Sequence, residues 1–74
     1  MENLNLYEMF KTMIRNAYNK ESISDLQAIK RAIELIPMYC IMNNYISIGQ
    51  IRDLEELIDK LENILTQDKG EIVV

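Results

Sequence analysis

Apolar residues recur along this chain at the three- and four-residue spacing of helices, not the alternation of strands. The last third carries the plainest pattern. Ile51, Leu54, Ile58, Leu61 and Leu65 fall on one helical face, with Leu57 and Ile64 widening it. Ser47-Ile48-Gly49-Gln50 reads as a capping box ahead of this stripe. In such a box the serine hydroxyl accepts from the glutamine amide and the glutamine side chain reaches back to the serine N–H. Ile46 before the cap and Ile51 after it are placed to form a hydrophobic staple. The pattern predicts a helix over about 48–66. In heptad terms Leu57 and Ile64 occupy g, where a parallel two-stranded coiled coil carries charge, so this face suits a bundle.

Two further helices are predicted upstream. Leu6, Phe10, Met13 and Ala17 form a stripe that Tyr7, Ile14 and Tyr18 broaden, giving a first helix over about 4–18. Asn19 to Ser22 connect it to a second helix over about 24–42. Ser24 opens that helix in a second Ser-x-x-Gln box, with Ser22 as a competing cap. Leu26, Ile29, Ile33, Ile36 and Cys40 form one stripe, and Ala28, Ala32, Leu35 and Tyr39 form another beside it. Pro37 interrupts both. A proline inside a helix removes one backbone bond and clashes with the carbonyl four residues back, here Ile33, at a cost of about 3 kcal/mol. The apolar pattern continues beyond it to Met42, which favours a kinked helix. The alternative is a break, with Pro37 opening a short separate helix, because residues before proline avoid the helical region. Asn43-Asn44-Tyr45 makes the next turn. Residues 67–74 are expected to be a flexible tail. Its end, Glu71-Ile72-Val73-Val74, is strand-prone.

The expected fold is therefore all-α: a single small three-helix bundle, kinked at Pro37. Its apolar faces look wider than a 74-residue chain can hide. Domains of this size bury only about 60% of the surface exposed on unfolding, and often need a staple or a second copy. Cys40 is the only cysteine and there is no histidine, so neither an internal disulfide nor a zinc site is expected. That leaves a homodimer, with Ile51, Leu54, Leu57, Ile58, Leu61, Ile64 and Leu65 as its candidate contact.

Charge narrows the partners. Up to Met42 the chain has five basic and five acidic residues; from Asn43 onward it has three basic and seven acidic, which accounts for the whole net charge of −4. Phosphate contact needs Lys and Arg, so nucleic-acid binding by the last third is disfavoured. Lys11, Arg15, Lys20, Lys30 and Arg31 could line a basic patch, but Glu8, Glu21 and Glu34 dilute it. No apolar run approaches the roughly 20 residues of a membrane span. The N-terminus lacks the basic start and apolar core of a signal peptide, so a cytoplasmic protein is expected.

Candidate chemistry is sparse. Cys40 lies on an apolar stripe with no histidine to activate it, which reads as a structural thiol. The two glycines are 21 residues apart, so there is no phosphate loop. No cofactor is expected. Glu55, Asp59 and Glu62 lie on successive turns as an acidic ridge that could dock a basic protein surface. Tyr39, Met42 and Tyr45 form a second candidate contact, since methionine and tyrosine suit adaptable interfaces. The expectation is a non-enzymatic helical module that binds another protein. A small phage- or plasmid-type regulator fits, whether inhibitor, antitoxin or immunity factor. A small DNA-binding regulator or a structural subunit of a larger assembly is the alternative.

Overall fold

The structure, a computed structural model, describes residues 5–70, with side chains described through Gln67. Four helices follow in order: α1 (Leu6–Asn19), α2 (Ile23–Glu34), α3 (Met38–Met42) and α4 (Ile48–Gly70). No strand occurs among the described residues. The all-α expectation holds. The three-helix count does not, and α3 accounts for the difference.

Each long helix starts where a side chain satisfies a free backbone N–H. Asn5 Oδ1 accepts from Glu8 N at 3.1 Å and opens α1. Ser22, not Ser24, caps α2: its Oγ accepts from Asp25 N at 3.1 Å. Ser24 is left inside the first turn because α1 ends so close by. At α4 the capping box closes in both directions. Gln50 N donates to Ser47 Oγ and Ser47 N donates to Gln50 Oε1, each at 3.1 Å. Ile46, just outside this cap, is buried in the core, and Ile51 packs against that core as the staple requires.

Two helices end in the same way. At the end of α1, Ser22 N bonds Ala17 O at 3.0 Å and Glu21 N bonds Tyr18 O at 2.9 Å. At the end of α3, Tyr45 N bonds Cys40 O at 2.9 Å and Asn44 N bonds Ile41 O at 3.1 Å. These are Schellman closures, which need one left-handed residue after the cap. Glu21 (φ 55°) and Asn44 (φ 62°) fill those positions. Asparagine tolerates that conformation; glutamate is an unusual choice. Asn43 Nδ2 also donates to Tyr39 O at 2.8 Å, which ties off a further carbonyl of α3.

The expected kinked helix over 24–42 is instead a break at Pro37. Leu35 N reaches Arg31 O and Ala32 O at 3.2 and 3.1 Å, and Ile36 N falls back to Ile33 O at 3.2 Å. This tightening is how α2 ends. Pro37 itself is extended (φ −74°, ψ 154°) and stands before α3. The missing N–H, the clash with the Ile33 carbonyl and the restriction on Ile36 act together, and continuing the helix would cost more than turning away.

α1, α2 and α4 surround one core of Phe10, Ile14, Ala17, Leu26, Ile29, Ile33, Ile46, Leu54, Ile58 and Leu65. Lys30 of α2 pairs with Asp59 of α4, and Gln27, Lys30, Arg31 and Glu34 of α2 line one cleft with Glu62 of α4. α3 crosses from the end of α2 to the start of α4 and buries none of its residues. Of the expected tail, 67–70 continues α4, and 71–74 lies outside the described residues. Nothing in Gln67-Asp68-Lys69 stops a helix, and Gly70 stands at its last position.

Candidate functional site

The stripe assigned to self-association is largely used inside the chain. Leu54, Ile58 and Leu65 are buried in the core, and Ile51, Leu57 and Leu61 are half-buried against it. Leu57 and Leu61 also floor a cleft against Lys11, Ile14, Arg15 and Tyr18 of α1. Ile64 alone of the seven is exposed, at 38%. Seven side chains on three faces of a turn cannot all point one way. The structure turns Leu54, Ile58 and Leu65 into the core and leaves Ile51, Leu57 and Leu61 partly exposed and Ile64 exposed.

The acidic ridge is also partly engaged. Asp59 Oδ1 accepts from Lys30 Nζ at 2.8 Å. Glu62 is half-buried, and its Oε2 is shielded from solvent without a hydrogen-bond partner. It lines a polar cleft with Gln27, Lys30, Arg31 and Glu34. Lys30 therefore faces three carboxylates. Its ammonium is held above its ordinary value of 10.5, first by the hydrogen bond and charge of Asp59, then by Glu34 and Glu62, against some desolvation. Glu55 is half-buried. The ridge is a seam between α2 and α4 more than an open docking stripe.

The basic residues are dispersed. Lys20 pairs with Asp25 at 3.4 Å, and Lys11 lies over the Tyr7 ring at 5.0 Å. With Lys30 on Asp59, three of the five possible patch members are committed to neighbours within the chain. Among the described residues no group of His, Cys, Asp and Glu is placed to hold a metal ion. Among the described residues no helix is long and apolar enough to cross a membrane either. Cys40 is half-buried on α3 and packs against the core.

What stands out is the end of the bundle where α2 stops and α4 begins. From Leu35 to Ile51 the chain runs for 17 residues without a charged side chain. Glu34 and Arg52 border this segment and are opposite in sign. Within it Leu35, Met38, Tyr39, Met42 and Ile48 are 59–74% exposed. Tyr39 and Tyr45 brace one another edge to face, with ring centres 6.1 Å apart and planes at 72°. This geometry is the preferred one for aromatic pairs. The Tyr45 phenol is pushed up in pKa, chiefly by its interaction with the Tyr39 side chain.

The break at Pro37 creates this surface. In a continuous helix Tyr39 would have lain on the stripe of Ala28, Ala32 and Leu35. Turning at Pro37 lets Cys40 and Ile41 pack inward while Met38, Tyr39 and Met42 face out. Of the sequence-derived contact residues, Tyr39 and Met42 lie in the surface and Tyr45 is half-buried at its edge. Leu35, Met38 and Ile48 belong to it as well and were not singled out. The uncharged run was the signal that would have found them. Comparison with protein-family models, with curated proteins and with solved structures gives no match.

Proposed function

We propose that this chain is a non-enzymatic helical module that acts by protein–protein contact, and that its binding surface is the uncharged apolar end formed by α3. One observation carries the reading: five large apolar side chains, Leu35, Met38, Tyr39, Met42 and Ile48, are exposed within a single uncharged stretch of a small acidic chain. A concentration of exposed apolar side chains of that kind on a small protein marks an interaction surface. Methionine adapts to different shapes and tyrosine offers an apolar body with a polar tip, which suits a contact that forms and dissolves.

The neighbouring features agree. The polar cleft that Glu62 shares with Glu34 is open and also holds Lys30 and Arg31, so its carboxylates face cations and solvent and lack the apolar enclosure that gives paired carboxylates separate acid and base roles. The basic residues are dispersed and mostly paired within the chain, which weighs against a DNA-binding regulator. A small regulator or inhibitor of phage or plasmid type, working in the cytoplasm as inhibitor, antitoxin or immunity factor, fits a chain whose one asset is a contact face. The acidic seam has a lesser part than the sequence alone suggested, because Asp59 is already paired.

Affinity capture from the source cells, with mass spectrometry, tests this. Wild type is compared with a Met38→Lys, Met42→Lys variant whose circular dichroism matches it. A protein held by wild type and lost by the variant supports the assignment. The same set of proteins on both would rule out the α3 end as the binding surface.

A further inference from the structure

We infer that the trough between α1 and α4 is a ligand site for a small apolar carboxylate, an aryl or medium-chain aliphatic acid. The body of the ligand lies on Leu57 and Leu61, and its carboxylate meets Arg15 and Lys11. This site is separate from the α3 end and does not depend on the reading of that end as a contact surface.

Charge sets this trough apart from its neighbours. The trough between α1 and α2 includes Asp25, which already holds Lys20 at 3.4 Å. The cleft between α2 and α4 includes Glu34 and Glu62, and its Lys30 is held by Asp59 at 2.8 Å. The α1–α4 trough is lined by two cations and no carboxylate. On a chain of net charge −4 that is an unmatched positive spot. Arg15 is exposed, and among the described residues no carboxylate forms an ion pair with it or with Lys11. Its neighbours one turn away on α1 are Lys11, Thr12, Tyr18 and Asn19, none of them acidic. Lys11 rests over the Tyr7 ring at 5.0 Å, which steadies the ammonium without neutralising it.

Size and lining select the rest of the ligand. The trough has a volume of about 190 Å³. An apolar cavity of about 150 Å³ holds a benzene ring. One ring or a short alkyl chain therefore fits, and a helix of another protein does not. The floor is apolar: Leu57 and Leu61 are half-buried next to the buried Ile14, and Tyr18 joins them in the lining. An inorganic anion would leave that apolar surface wet, and a neutral hydrocarbon would leave the cations without a counter-charge. A carboxylate on an apolar body answers both. The guanidinium fork matches a carboxylate through two parallel hydrogen bonds, stronger than those between neutral groups.

Titration of the isotope-labelled full chain with sodium octanoate, followed by NMR, tests this. The trough is open to solvent, so the expected Kd is roughly 0.1–1 mM. Signals of Leu57, Leu61 and Tyr18 should move together. Octanol has the body without the charge, and acetate has the charge without the body. Each should bind at least ~5-fold more weakly than octanoate. Arg15→Glu should raise the octanoate Kd at least ~5-fold with circular dichroism unchanged, whereas Arg31→Glu, in the α2–α4 cleft, should bind like wild type. Octanol that binds as tightly as octanoate, or a Kd indifferent to Arg15→Glu, would overturn the inference. So would octanoate shifts that are absent up to ~10 mM, or that centre on Met38 and Met42 at the α3 end.

Discussion

Glu21 stands where a helix ending of the Schellman type wants glycine. Its φ of 55° puts a Cβ-bearing residue in the left-handed region, at a cost of roughly 1–2 kcal/mol. Glu21→Gly removes that cost but frees the unfolded chain somewhat. The balance should stabilise the protein by about 1 kcal/mol in urea unfolding, and no change or a loss would mean that the closure is not strained. The sequence placed the connection at Asn19–Ser22 correctly but gave no reason to expect a left-handed glutamate there. The choice of Ser22 over Ser24 was likewise undecidable from capping preference, because both serines precede a suitable first turn. The short connection settled it. Lys30 yields a second test at this scale. Its pKa is raised in the folded state, so its contribution is fully present below its ordinary 10.5 and is lost as pH climbs through the higher folded value. Lys30→Met should therefore be less stable than wild type at neutral pH, with the gap narrowing in alkali. The pair is exposed, so the effect will be small. A gap that is flat up to the alkaline limit of folding would mean that Lys30 and Asp59 do not interact in solution.

At the scale of elements, the α4 stripe has changed its role. Its heptad spacing was readable at once, and so was the bidirectional cap at Ser47 and Gln50 that starts it. Periodicity says only that a face is apolar; it does not say whether the cover comes from the same chain. Leu54, Ile58 and Leu65 prove to be the floor of the chain's own core. This has a measurable consequence. Ile58→Ala should cost about 2–5 kcal/mol, as for other fully buried truncations, whereas the exposed Ile64→Ala should cost under about 1 kcal/mol. The loss at Ile58 should not depend on protein concentration, since a seam between subunits would make it do so. Wild-type midpoints that rise with protein concentration, and lose that dependence in Ile58→Ala, would return the stripe to the interface. Pro37 was also visible in the sequence, and both outcomes were open. The apolar residues beyond it argued for continuation, yet they proved to serve different sides: Cys40 and Ile41 inward, Met38, Tyr39 and Met42 outward. A stripe drawn through a break cannot distinguish the two, because the turn re-aims every side chain that follows.

For the molecule as a whole, the distribution of charge decides how its contacts respond to salt. The sequence showed the acidic excess in the last third, and that led to a ridge that docks a basic surface. Folding sets Asp59 against Lys30 and shields part of Glu62, and the neutral stretch between the two halves emerges as the open face. These two pictures give opposite salt responses. A contact made by the ridge is an attraction between exposed charges, and it weakens as the Debye length falls from about 10 Å at 0.1 M to about 3 Å at 1 M salt. A contact made by the uncharged side chains around α3 offers no attraction between charges to screen. What salt does screen is the repulsion between two chains of −4 each. Any self-association through that end should therefore strengthen modestly between about 0.1 and 1 M sodium chloride, as the repulsion of like-charged chains is screened. Met42→Lys should reduce association at every salt concentration, because the loss lies in apolar contact and not in the long-range field. Association that falls steeply with salt would assign the contact to charged groups and return the ridge of Glu55, Asp59 and Glu62 to the leading position. In that case Asp59 would have to exchange Lys30 for the partner, and Lys30→Met should tighten binding by freeing it.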